Sequence, residues 1–155
     1  MQPILDDTDL TILRILQEDS KKTAKEIATR LDLTPSPVYE RIRRLERSGY
    51  IRQYVALLDQ RKFPRLAVTA FCQVSMRYHD KNYIEEFEAR MQTLDEVQEC
   101  YHMAGKVDFI LKVTSASLED YHNFIREKLS KVENIGELNS SFVLKDIKQT
   151  TALNI

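Results

Sequence analysis

Glycine is scarce in this sequence, which has only Gly49, Gly105 and Gly136 among 155 residues. An average chain of this length has about ten glycines. The scarcity excludes sites built on glycine-rich turns, such as the GxGxxG dinucleotide motif and the Walker loop. Each remaining glycine is expected to mark a backbone position that requires it.

Other features are also missing. Cys72 and Cys100 are far apart and form no CxxC motif, which indicates reduced thiols instead of a disulfide framework. No stretch approaches the ~20 apolar residues of a membrane span, and the first residues lack a signal peptide's basic region. His79, His102 and His122 lack metal-ligand spacing, so we interpret them as packing residues. We expect a soluble, cytoplasmic protein without a metal or cofactor.

Charge is balanced overall but not along the chain. Taken alone, the net charge of −1 argues against nucleic acid as a partner. However, residues 1–19 contain one basic and five acidic side chains, whereas residues 20–54 contain nine basic and four acidic ones. The near-neutral total therefore conceals two adjacent segments, one with a net charge of −4 and one with a net charge of +5.

Apolar residues in the first fifty positions follow helical spacing. They predict three helices, at about 8–18, 23–31 and 35–48. Thr34 is a suitable N-cap for the third helix, and Pro35 follows it where a missing N–H costs little. Gly49 is the expected left-handed stop. Residues 50–58 are rich in strand formers and predict an extended hairpin.

Three short helices with a tight turn before the third are typical of a helix-turn-helix, and the hairpin would make it winged. The face of the third helix opposite its apolar residues would meet a DNA major groove. There Arg43 suits guanine and Glu40 suits the cytosine amine, while lysines and Arg44 suit phosphates. The predicted DNA-binding residues are Lys21, Lys22, Lys25, Ser36, Tyr39, Glu40, Arg43, Arg44 and Arg47.

The alternative for the third helix is an ordinary solvated face. In that interpretation its arginines pair with Glu40 and Glu46. Charge on a helix, taken alone, favours this alternative. The number of helices, the tight turn, the N-cap and the location of the charged helix together favour DNA binding.

A polar linker at 59–65 separates the first domain, at 1–58, from a second at 66–155. The second follows the order strand, helix, strand, strand, helix, strand. The predicted strands are 66–76, 97–103, 109–115 and 137–148, and the first helix spans about 81–94. The second helix, opened by a capping-box-like Ser117, is expected to bury Leu118, Tyr121, Ile125, Leu129 and Val132. This order is a ferredoxin-like βαββαβ unit with an antiparallel sheet, so the fold class is α+β.

Two helices on one side of such a sheet leave its other face bare. That face is expected to carry Phe71 and one apolar set of the last strand. Exposed apolar sheet faces usually have a partner. We therefore predict homo-oligomerisation through this domain. The alternative is a face covered by the chain's own linker, which is less favoured because the linker is short and polar.

Motifs in both halves point to one family. The first half contains the run Leu5-Asp6-Asp7-Thr8-Asp9, and then Leu33-Thr34 ahead of the segment from Val38 to Ile51. The second half contains Gly105-Lys106-Val107-Asp108 and residues 143–148. Together they resemble the Lrp/AsnC (leucine-responsive, feast/famine) transcription regulators, whose regulatory domain carries a GxxD turn. The resemblance covers essentially the whole chain. Phe63-Pro64-Arg65 departs from it, since the family commonly has a glycine there.

The resemblance implies a sequence-specific regulator of double-stranded DNA. It also implies octamers built from dimers, with a small amino acid bound at contacts between dimers around the GxxD turn. Asp108 would pair with the ammonium, and N–H groups of the glycine turn would bind the carboxylate. The implied effector residues are Met103, Ala104, Gly105, Lys106, Val107, Asp108, Ser140 and Ser141. The alternative is a plain hairpin loop in which Gly105 supplies a positive φ and Asp108 bonds the turn backbone.

Two other functions stay open. An architectural DNA-binding protein without an effector would bind with steep salt dependence and little sequence preference. A ferredoxin-like enzyme or metabolite-binding module is compatible with the fold alone. No Ser/His/Asp arrangement or carboxylate pair is suggested by spacing, so we predict no catalytic residue and no enzyme activity.

Overall fold

The chain folds into two compact units in the computed structural model, which describes residues 4–155. The first unit comprises the residues up to Leu57 together with 148–155, and the second comprises Leu58–Ile147. The chain therefore leaves the first unit once and returns to it. The sequence had placed residues 148–155 in the second domain.

Three helices build the first unit: α1 (Asp7–Glu18), α2 (Ala24–Leu31) and α3 (Pro35–Arg47). The predicted positions are confirmed to within a residue or so. Thr23 and Glu26 form a capping box at the start of α2, and the Thr23 N–H and hydroxyl, with Lys22, lower the pKa of Glu26 to about 2. Gly49 has φ +76° after α3, so the left-handed stop is confirmed.

The core of the first unit lies where the three helices meet. Its fully buried side chains are Ile12, Ile27, Val38 and Leu45. Residues 52–58 form neither a helix nor a strand and pair with no strand among the described residues, so the expected extended hairpin is not formed there.

The second unit has the predicted βαββαβ order. Its elements are β1 (Val68–Met76), α4 (Lys81–Met91), β2 (Val97–His102), β3 (Phe109–Ser115), α5 (Leu118–Glu127) and β4 (Ile135–Phe142). The strands lie in the order β2-β3-β1-β4, and every neighbouring pair is antiparallel. The ferredoxin-like arrangement is therefore confirmed.

One side of this sheet packs against α4 and α5. Ala70, Cys72 and Val74 of β1 are fully buried there, opposite Phe87 of α4. In α5 the buried residues are Tyr121 and Phe124, whereas Leu118 is 60% exposed. The prediction for Leu118 is wrong because it is the first residue of α5 and does not reach the sheet.

The opposite face of the sheet is more polar than expected. Phe71 is exposed there, beside half-buried Lys112 of β3 and Ser141 of β4 in the strand register. The predicted apolar set of the last strand is wrong, because β4 ends at Phe142 and the run 143–147 lies beyond it. Phe142 points to the helix side, where its ring centroid is 5.0 Å from that of Tyr121.

Candidate DNA-binding and effector sites

The exposed face of α3 collects most of the predicted DNA-contacting side chains. Below it, Val38 and Leu45 are buried against α1 and α2. The guanidinium carbon of Arg43 lies 5.6 Å from the centre of the Tyr39 ring, a cation–π contact that holds both on the same surface. The exposed residues of this face are Ser36, Tyr39, Glu40, Arg43 and Arg47.

Two other arginines of α3 turn the opposite way, toward α1. Asp9 is fully buried, and its carboxylate lies 2.8 Å from Nη1 of Arg41 and 2.5 Å from Nη2 of Arg44. Arg41 also lies 2.6 Å from Asp6. The alternative pairing with Glu40 and Glu46 is not formed among the described residues, where Glu46 instead accepts a hydrogen bond from Tyr54. Arg44 thus has a structural partner that the sequence did not indicate.

The three predicted phosphate-binding lysines lie at the start of α2 and just before it, and all are exposed. Lys22 is 3.2 Å from Glu26 and 3.9 Å from Asp19, so part of its charge is compensated within the chain. Lys21 and Lys25 form no ion pair among residues 4–155. Both ammonium groups are therefore available to an anion.

The predicted effector turn, residues 103–108, connects β2 and β3. Met103, Ala104, Gly105 and Lys106 are exposed. Gly105 has no positive φ, and a Cβ built on it would meet no atom within 4 Å. The positive φ that the plain-loop alternative assigned to Gly105 is therefore not present.

Asp108 is held by groups outside its own turn. Its Oδ2 accepts a hydrogen bond from the Met76 N–H at 2.7 Å, and its Oδ1 lies 2.9 Å from His79 Nε2. The Met76 N–H, followed by His79, lowers the pKa of Asp108 below its ordinary value of 3.8. The carboxylate is therefore anionic at neutral pH and already has two partners at the end of β1.

Ser140 and Ser141 lie at a distance from this turn within one chain. They pair with Cys72 and Phe71, whereas Asp108 lies beside Met76. Four residues of strand separate those positions, which is roughly 13 Å. Ser140 also faces the helices, where its Oγ is 2.6 Å from the Tyr121 hydroxyl. The structure therefore does not bring the serines and the turn together around one small ligand.

A concave region with a volume of about 590 Å³ lies between α4 and β2. Cys100 and His102, two residues apart on β2, both line it. His102 stacks on Phe109 at 4.6 Å and lies 3.4 Å from Glu88. Burial, and then Glu88, raise the pKa of the Cys100 thiol. Within residues 4–155 no group of three or more potential ligands is arranged for a metal ion.

Comparison with known proteins assigns both units. Residues 5–52 match the winged helix-turn-helix DNA-binding family, and residues 69–153 match the Lrp/AsnC ligand binding domain. The chain belongs to the Lrp/AsnC family. Leucine-responsive regulatory proteins of Salmonella typhimurium and Escherichia coli strain K12 are 32% and 31% identical to it over 151 residues, or 97% of this chain and 92% of theirs.

Solved structures of transcriptional regulators superpose on nearly all of the chain. A transcriptional regulator from Neisseria meningitidis in complex with L-Met is 36% identical, with a TM-score of 0.91 over 97% of this chain and 96% of the other. An AsnC family transcriptional regulator from Agrobacterium tumefaciens is also 36% identical, with a TM-score of 0.90 over 96% of each chain. As an Lrp/AsnC member, the chain is an effector-modulated, DNA-binding transcriptional regulator and not an enzyme. In the described part of the chain, no helix has the length and apolar character that a membrane crossing requires.

Two features of this Lrp/AsnC chain are not predicted by its sequence patterns. The sequence indicated Asp9 only as part of the family motif, although it stands on the apolar stripe of α1, three residues before Ile12 and four before Leu13. An acid on a buried stripe is a signal for a buried ion pair. The contact of His79 with Asp108 joins residues 29 positions apart, and no local pattern signals it.

Proposed function

We propose that the chain reads operator DNA through the exposed face of α3 and responds to a small amino acid through the 103–108 turn. The DNA-binding half of this proposal rests on a difference in environment among the α3 arginines. Arg41 and Arg44 are paired with buried Asp9, whereas Arg43 and Arg47 are exposed and have no ion pair among the described residues. In this proposal Arg43 reads a base edge, and Lys21 and Lys25 contact phosphates.

The effector half rests on the chemistry of the turn. Exposed Gly105 leaves backbone N–H groups open to a carboxylate, and anionic Asp108 lies three residues further along. Met103 supplies an exposed apolar side chain beside them. An amino acid with an unbranched apolar side chain, such as the L-Met bound by the Neisseria meningitidis relative, fits these three groups.

A homo-oligomer is the third part of the proposal. The outer sheet face presents Phe71 and Tyr101, 40% and 51% exposed, around half-buried Ile110. A second copy packed on this face would bury these rings. Ser140 and Ser141 join the effector site only if they come from another copy, because within one chain they are too far from the turn. We infer a dimer that assembles further, to an octamer, through effector-binding contacts.

A thermal-shift screen of the full chain with all twenty amino acids tests the effector half. A ligand that binds only the folded protein raises its apparent stability, and we expect L-Met or a similar side chain to do so. Asp108→Asn should abolish the shift, whereas Asp95→Asn, at an exposed aspartate elsewhere in the unit, should keep it. An equal shift in Asp108→Asn would contradict the assignment of that residue.

Selection of duplexes from a random DNA pool, followed by gel shifts, tests the DNA half. We expect wild type to enrich a pseudo-palindromic sequence. Recovery of unrelated sequences with equal affinity would instead support an architectural DNA-binding protein. Sedimentation with and without the stabilising amino acid then tests whether the ligand changes the assembly.

A further inference from the structure

The last eight residues of the sequence lie on the DNA-binding unit, although they follow the end of the ligand-binding unit along the chain. Residues 148–155 contain no helix or strand. They are nevertheless held by α1 through hydrogen bonds from two side chains one turn apart. An irregular segment bound in this way requires an explanation that neither the helix-turn-helix nor the sheet supplies.

These hydrogen bonds join side chains of α1 to main-chain groups of the segment. The Leu153 N–H donates to Gln17 Oε1 at 2.6 Å, and Gln17 Nε2 donates to the Leu153 carbonyl at 3.2 Å. Arg14 Nε donates to the Ile155 main-chain oxygen at 2.6 Å. A side-chain amide that bonds both the N–H and the C=O of one residue recognises the peptide backbone whatever its side chains.

Side chains then give the contact its selectivity. A cavity of about 700 Å³ is lined by residues of α1 and of segment 50–57, with Thr151, Leu153 and Ile155 closing it. These three alternate residues of the C-terminal segment therefore all face the cavity. Tyr54, whose hydroxyl is 3.0 Å from Glu46 of α3, holds segment 50–57 against the last turn of α3.

We propose that residues 148–155 are a latch that docks on α1 and segment 50–57 and gives the DNA-binding unit a second tether to the rest of the chain. The first tether is the passage from Leu57 to Leu58, and the latch adds the return from Ile147 to Lys148. Two tethers restrict a unit more than one, because its accessible volume is smaller. In an oligomer, restricted DNA-binding units have a higher effective concentration for the second half of a two-part operator. The occupant of the groove is the chain's own latch.

Hydrogen exchange of the full-length protein tests the docking. In wild type the amide of Leu153 should exchange about tenfold or more slowly than in an unstructured peptide. The double variant Arg14→Ala/Gln17→Ala removes both exposed donors and should restore fast exchange at Leu153 while α1 stays protected. Gln98→Ala, at an exposed glutamine of β2, is the matched control and should change nothing. Fast exchange at Leu153 in wild type, or unchanged protection in the double variant, would overturn the latch.

A second variant and a dilution series complete the test. Leu153→Asp/Ile155→Asp alters the latch instead of the groove and should give the same fast exchange. Protection that is independent of protein concentration supports docking on the same chain, whereas protection lost on dilution overturns it in favour of a second copy.

The consequence for DNA rests on the proposed function and is measured separately. With duplexes selected by wild type, the latch variants should keep their affinity for one half-site and lose about tenfold or more for two half-sites. Equal loss on both duplexes, or no loss, would overturn the tethering role. If wild type selects no DNA, the proposed function fails, and hydrogen exchange still decides whether the latch docks.

Discussion

The carboxylate of buried Asp9 in α1 lies 2.5 Å from Nη2 of Arg44 in the recognition helix. A buried charge is stable only when it is paired and hydrogen-bonded. Asp9 meets this requirement with Arg44, with Arg41 and with the Asp6 N–H at 3.2 Å. The position of α3 relative to α1 is therefore specified by charge as well as by apolar packing.

Removing this carboxylate should destabilise the DNA-binding unit. We expect Asp9→Ala to lower the free energy of unfolding by about 3–5 kcal/mol, because two arginines lose a buried partner. Asp7→Ala, at an exposed carboxylate two residues earlier, should cost well under about 1 kcal/mol. Urea unfolding of the full chain followed by circular dichroism measures both values. Equal, small effects of the two substitutions would show that the buried pair contributes little.

Arg43 and Arg44 are adjacent in sequence and should behave in opposite ways. Arg43→Ala should weaken binding to the selected operator by about 1–3 kcal/mol and relax preference at one base position. The stability of this variant should stay near that of wild type, because Arg43 is exposed and has no ion pair among the described residues. Arg44→Ala should instead lower stability, because it leaves Asp9 with one partner fewer.

Gel shifts and urea unfolding on both variants decide this prediction, and each variant serves as control for the other. A stable Arg44→Ala that loses DNA affinity would return Arg44 to the phosphate-binding role that the sequence indicated. An Arg43→Ala variant with unchanged base preference would remove Arg43 as a reader.

Periodic patterns were sufficient to predict the elements because apolar spacing records which face of each element is buried. Strand β3 was predicted with its observed bounds, 109–115, since Phe109, Leu111 and Val113 alternate into the core. The order of elements then limited the second unit to one topology. The family resemblance gave the function, which composition and spacing alone had left open among three alternatives.

Contacts between distant parts of the chain were not predictable in this way. Leu118 follows the helical period of α5, yet it begins the helix and remains exposed, and Phe124 is buried instead. The docking of residues 148–155 depends on the shape of a groove formed by α1 and segment 50–57, which no local pattern encodes. The outer face of β4 is polar because the strand ends at Phe142, before the apolar residues of the run 143–147, and no local pattern marks that end.

Two glycine substitutions should separate ligand binding from folding in the second unit. A Cβ on Gly105 meets nothing within 4 Å, so Gly105→Ala should leave stability unchanged while weakening the thermal shift caused by the effector. A Cβ on Gly136 lies 3.1 Å from the Ser75 carbonyl oxygen, which is part of the backbone, so Gly136→Ala should destabilise the sheet.

The glycine pair is measured by thermal unfolding with and without the amino acid found in the screen. The expected pattern is a lost ligand shift in Gly105→Ala and a lower melting temperature in Gly136→Ala. A Gly105→Ala variant with an undiminished ligand shift would show that close approach to the turn backbone is not needed for binding.

Asp108 should make the stability of the second unit pH-dependent at the acid end. The Met76 N–H, and then His79, hold its pKa below 3.8 in the folded chain. A carboxyl with a depressed folded pKa stabilises the protein fully above its unfolded pKa and loses that contribution as pH falls through the folded value. The stability difference between wild type and Asp108→Asn should therefore persist down to about pH 5 and shrink below about pH 4. Urea unfolding of both proteins at a series of pH values measures it.

His79→Gln separates the two partners of that carboxylate. Because the Met76 N–H is the larger cause of the lowered pKa, most of the acid-range difference should remain when the imidazole is removed. Loss of nearly all of it in His79→Gln would instead make the His79 contact the dominant one. In that case Asp108 would act as one half of an ion pair, and an ammonium group arriving with the effector would compete with His79 for the same oxygen.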